Sequence, residues 1–92
     1  MTKRDRRLEK IRRNPNNVRF EELDQVLRSY GFERRQPGSG SSHYVYRSRH
    51  LPGILLTVPY KRPFLKAPYV RRALEILDRV IEGEDDESEE SG

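Results

Sequence analysis

His43 is the residue of this chain best equipped for proton transfer. It follows the small polar run Gln36-Pro37-Gly38-Ser39-Gly40-Ser41-Ser42 and opens His43-Tyr44-Val45-Tyr46-Arg47, a stretch of aromatic and β-branched residues. Imidazole exchanges protons near neutral pH, as general acid–base chemistry requires. RNA cleavage is one reaction of that kind. A base takes the 2′-OH proton, an acid protonates the leaving 5′-oxygen, and cations steady the charge on a phosphorane-like transition state. Arg47, Arg49, Lys61, Arg62 and Lys66 lie near His43 in sequence, and Ser41 and Ser42 offer hydroxyls and backbone N–H groups to a phosphate. A lone histidine at a strand mouth is also an ordinary surface side chain, and that alternative stands beside the catalytic one.

Other chemistries fit less well. His50 falls in Arg49-His50-Leu51-Pro52, the composition of a solvated turn. Two histidines seven apart with no acidic cluster do not make a metal site. The absence of cysteine excludes disulfides and thiolate metal sites, and neither a metal nor a cofactor is expected. The adjacency of Ser42 and His43 is no hydrolase triad, whose partners meet in space around a buried carboxylate. Tyr44 and Tyr46 share the strand face opposite His43, Val45 and Arg47. They either stack on bases or belong to the core.

The elements that must position these residues follow from the hydrophobic pattern. Residues 3–13 (KRDRRLEKIRR) place Leu8 and Ile11 on one side of a short basic helix, which Asn14-Pro15 ends. Over 18–30, Phe20, Leu23, Val26, Leu27 and Tyr30 form a helical stripe, with Asn17 as its N-cap and Gly31 as its left-handed stop. Three strands are expected next, at 32–35, 43–47 and 54–58, the last two separated by a turn at Pro52-Gly53. The basic loop 60–66 either grips phosphates or is a solvated linker. A final helix over 67–82 carries Val70, Ala73, Leu74, Leu77, Val80 and Ile81, with Pro68 in its first turn and Gly83 as its end.

The expected fold is therefore α+β: α-β-β-β-α, a three-stranded antiparallel sheet with helices on one face, as in double-stranded-RNA-binding domains. Residues 1–16 are read as a basic helical extension, 17–82 as the domain, and 83–92 as an acidic tail that cannot bury enough apolar surface to fold. Charge divides the same way. The chain carries 19 bases and 15 acids, but seven of those acids lie in residues 82–92, which hold no base. The remainder has 19 bases against eight acids, a charge of +11. Such a domain suits a polyanionic partner. No segment is apolar enough to span a bilayer and no leader is evident, so a soluble cytoplasmic protein is expected.

Asn17-Val18-Arg19-Phe20-Glu21-Glu22-Leu23, then Tyr30-Gly31-Phe32, then Gly40-Ser41-Ser42-His43-Tyr44-Val45-Tyr46-Arg47 and Thr57-Val58-Pro59, resemble the HicA toxins of bacterial and archaeal toxin–antitoxin systems, as does Tyr69-Val70 opening the last helix. The resemblance covers about residues 6–81. It implies a double-stranded-RNA-binding-like fold, cleavage of messenger RNA without a metal, a functional histidine matching His43, and a HicB-like antitoxin that covers the RNA surface. The family's glycine before the serine is here Ser41, and its helix-capping serine or threonine is here Arg19. Two further readings remain: a non-catalytic RNA-binding module, and a regulatory interaction domain whose acidic tail lies over the basic face.

Overall fold

The computed structural model describes residues 2–35 and 43–91, with the backbone alone for 84–91. The chain runs α1 (Lys3–Arg13), α2 (Phe20–Ser29), β1 (Phe32–Arg35), β2 (His43–Ser48), β3 (Leu51–Pro59) and α3 (Ala67–Ser91). The strands form one antiparallel sheet in the order β1-β2-β3, so the fold is α+β as the pattern predicts.

Alternation along β2 decides which face of the sheet meets the helices. Tyr46 and Ser48 are buried and Tyr44 packs against the core, whereas His43 and Arg47 are exposed. The tyrosines therefore belong to the core, and His43 faces outward with Arg47. Register places Val45 opposite Thr57 and Arg47 opposite Leu55, so exposed Thr57 and Leu55 share that outer face. The inner face receives the stripe of α2 (Phe20, Leu23, Val26, Leu27 and Tyr30, all buried) and that of α3. On α3 the buried set is Val70, Ala73, Ile76, Leu77 and Val80, with Leu74 and Ile81 at its margin. Ile76 thus replaces Leu74 at the centre.

Helix α1 is part of this core and not an appendage to it. Thr2 caps it through a reciprocal pair with Asp5, each side chain accepting from the other's backbone N–H. Leu8 and Ile11 are buried in the same cluster as the α2 and α3 stripes. Polar contacts pin the helix at both ends. The Tyr30 hydroxyl donates to Asp5 Oδ1 at 3.2 Å, and Arg4 lies over the Tyr30 ring. Further along, Lys10 meets Glu22 of α2 at 3.0 Å and Arg12 meets Asp78 of α3.

Three boundaries differ from expectation. Helix α2 is capped at Arg19, not Asn17. An arginine side chain has no acceptor, so Glu22 reaches back and accepts from the Arg19 backbone N–H at 3.2 Å. The β2–β3 turn is Arg49-His50, and Pro52-Gly53 lies within β3. The register jumps there, from Arg47 opposite Leu55 to Ser48 opposite Leu51, and the residues between are looped out of the pairing. Proline has no ladder hydrogen bond to lose in such a bulge on an edge strand. Gly83 does not end α3, whose backbone stays helical to Ser91, across the segment expected to be disordered. Glutamates are good helix formers, and extending a formed helix carries no nucleation cost. Gly31 does adopt the expected left-handed conformation, at φ 89° after α2.

Candidate nucleic-acid interface

His43 is the first residue of β2, and its Cα pairs with Pro59, the last residue of β3. That register builds one end of the molecule. The chain leaves β3 there through Tyr60, Lys61 and Arg62, and α2 starts there at Phe20. The Phe20 ring lies 5.0 Å from Tyr44 and 4.9 Å from Tyr60, wedged between the residues that follow His43 and Pro59. Leu65 N donates to Val18 O at 2.8 Å, tying the β3–α3 connection to the entry of α2. Lys66 then caps α3, its carbonyl accepting from the Tyr69 and Val70 amides.

The expected basic residues divide between the two ends of the sheet. Lys61 and Arg62 lie at the His43 end, both exposed, and exposed Lys66 closes the same connection. Arg47 shares the outer face of β2 with His43 but is four residues along, about 13 Å at strand rise. Arg49 lies in the β2–β3 turn, about 20 Å from His43, and His50 sits beside it, so neither joins the His43 end. Ser41 and Ser42 lie outside the described residues.

Arg62 is held in place by a short chain of donors. Its Nε donates to the Tyr60 hydroxyl at 2.7 Å, and that hydroxyl donates to Glu21 Oε1 at 3.4 Å. The Tyr60 hydroxyl holds the guanidinium pKa above its ordinary value. Arg62 also lines an open depression of about 860 Å³ that the sequence did not reveal, together with Lys10, Arg19, Glu22 and the exposed ring of Phe64. Lys10 and Arg19 are 43 or more residues from Arg62, and only the docking of α1 brings Lys10 there. Burial raises the pKa of Glu22, but Lys10 and the Arg19 backbone N–H outweigh that effect, and its carboxyl titrates below its ordinary value.

A second cluster went unread because its members lie on three elements. Asp24 is 8% exposed on the inner side of α2. Its Oδ1 accepts from the Tyr46 hydroxyl at 2.7 Å and from Arg34 Nη1 at 3.2 Å. Burial first, then the Asp24 carboxylate, raises the Tyr46 pKa well beyond its ordinary value. This triad joins α2 to β1 and β2 from the buried Asp24 and Tyr46 out to the exposed Arg34, and its role is positional: it fixes the strand whose first residue is His43.

Among the described residues, no group of three His, Cys, Asp or Glu side chains could hold a metal ion, and no helix is long and apolar enough to cross a membrane. Comparison with protein-family models, with curated proteins and with solved structures finds no match.

Proposed function

We propose that this chain is a ribonuclease toxin of the HicA type, which cleaves messenger RNA by general acid–base catalysis at His43 and is held in check by a HicB-like antitoxin. The observation that carries the reading is the end of the sheet. An exposed histidine opens β2 directly across from the residue after which the chain turns into Tyr60-Lys61-Arg62. The resemblance to HicA supports it with the same histidine and with a double-stranded-RNA-binding-like arrangement. The +11 charge of residues 1–81 supports an RNA substrate.

In this mechanism His43 removes the 2′-OH proton as that oxygen attacks the neighbouring phosphorus. The bond from phosphorus to the 5′-oxygen breaks, and the leaving oxygen takes up a proton from water. Lys61 and Arg62 hold the phosphate and offset its growing charge. One acid–base group contributes typically ~10²–10⁴-fold, so a slow enzyme is expected. His43→Ala at an exposed strand end should leave the circular dichroism spectrum unchanged and lower cleavage of a labelled RNA by at least ~100-fold. Undiminished cleavage by the variant rules out His43.

One observation favours a second reading, an RNA-binding module without catalysis. The other histidine, His50, lies in the turn at the far end of the sheet and is too distant to serve as a second acid–base group at this site. Binding without cleavage by the wild-type chain would establish that reading.

A further inference from the structure

The basic helix α1 has no part in the mechanism above, yet its charge is arranged on one side. At 100° per residue, Lys3, Arg6, Arg7, Lys10 and Arg13 fall within about a third of the helix circumference. All five are exposed, and no acidic residue falls within that arc. Leu8 and Ile11 point the other way, into the core. Lys10 and Arg13 have carboxylate neighbours, Glu22 and Glu9. Lys3, Arg6 and Arg7 have no ion-pair partner among the described residues.

This stripe continues into the rest of the molecule. Arg7 and Lys10 line a depression between α1 and α2, which shares Lys10 and Glu22 with the larger depression that holds Arg19, Arg62 and Phe64. The acids bordering this path are engaged, Glu22 by Lys10 and the Arg19 amide, and Glu21 by the Tyr60 hydroxyl. The path ends one aromatic layer from the mouth of β2, because Tyr60 and Tyr44 flank Phe20.

We propose that the basic stripe of α1 and the Arg19–Arg62 cleft form one phosphate track, which holds a single-stranded RNA and leads it over the end of the sheet to His43. The track rests on the RNA reading above and adds to it a binding surface and a substrate form. A flexible single strand can follow a curved row of cations, and the exposed Phe64 ring at the end of the row offers a surface for a base. Arginine forks suit phosphate oxygens, and arginine supplies five of the seven cations named. The chain's own acidic segment is a poorer occupant. It continues α3, and α3 meets α1 through Asp78 and Arg12, on the side of α1 almost opposite the stripe.

The test uses the full chain carrying His43→Ala, so that bound RNA is not cut. Binding of a fluorescein-labelled oligouridine of about twenty nucleotides is followed by anisotropy across a salt series. A variant with Lys3, Arg6 and Arg7 all changed to Gln loses three exposed charges and should fold normally, as circular dichroism will show. Its affinity at about 0.1 M salt should fall at least ~10-fold, and its log–log salt slope should flatten by about two, near 0.7 per lost contact. A variant with Arg71, Arg72 and Arg79 of α3 changed to Gln loses the same charge elsewhere and should keep the wild-type slope. Equal losses from the two variants would show a net-charge effect and overturn the track, as would an unchanged slope in the α1 variant. Binding of polyglutamate in preference to oligouridine would overturn it in favour of an acidic protein partner. Cleavage is scored separately with His43 restored. Loss of the track with cleavage intact refutes only this inference, and binding through α1 without any cleavage refutes only the catalytic mechanism.

Discussion

At the residue scale, the side chains to which a role is proposed are held by unlike means. His43 stands at the mouth of β2, where strand register pairs it with Pro59. Arg62 is placed by the Tyr60 hydroxyl, and Tyr46 by a buried carboxylate. The buried pair has the larger consequence for stability. Asp24→Ala would leave the Tyr46 hydroxyl without its acceptor inside the core, at a cost of about 1–3 kcal/mol in urea unfolding. Tyr46→Phe should also remove one late-ionising phenol from an ultraviolet titration of the five tyrosines. An unchanged titration would show that Tyr46 is not the shielded phenol. His43 was legible as a candidate because its type and its place after a Gly/Ser run are local features. Asp24, Arg34 and Tyr46 were not legible as a unit. They are separated by 10 and 22 residues from Asp24, and nothing within any one segment marks the others as partners.

At the element scale, periodicity carried far where burial is one-sided. The α2 stripe was read in full, and the α3 stripe was read apart from Ile76, because each helix buries one face against a sheet. Leu8 and Ile11 gave too small a stripe to distinguish a packed helix from a solvated one, so α1 was read as an extension. Its incorporation predicts that Ile11→Ala, at a fully buried site, destabilises the domain by about 2–5 kcal/mol. A loss below about 0.5 kcal/mol, the usual range for surface positions, would mean that α1 is not docked. Glycine and proline misled at two places, Pro52-Gly53 and Gly83, since their effect depends on what the neighbouring chain needs. Gly31 is a true stop with positive φ, Gly83 is passed over by a helix already formed, and Pro52-Gly53 serves a bulge where a turn was expected.

At the scale of the whole molecule, the helices close one face of the sheet, and His43, Lys61, Arg62 and Lys66 gather at one end of it, away from Arg49 in the turn at the other. The carboxylates that fasten α1 make this assembly sensitive to acid. Asp5 and Glu22 both titrate below their ordinary values of 3.8 and 4.5, Asp5 chiefly through its hydrogen bonds to Thr2. A depressed folded pKa contributes stability that is complete above the unfolded value and is lost as pH falls through the folded one. The urea midpoint should therefore drop as pH falls below about 4.5, and Glu22→Gln should flatten that drop. An identical pH profile in the variant would remove Glu22 from this account. The composition already carried the charge excess, which is a property of the sum. It did not indicate where that charge gathers, because the docking of α1 beside Arg19 and Arg62 is a tertiary fact.

The central claim is that the chain arrests growth by destroying RNA through His43, and induced expression in a bacterial host tests it most directly. Wild type and His43→Ala are expressed to equal levels while growth and total RNA are followed. The account predicts growth arrest with loss of messages from the wild type, and neither from the variant. Equal arrest by both chains, or a wild type that accumulates without harm and leaves messages intact, would contradict it.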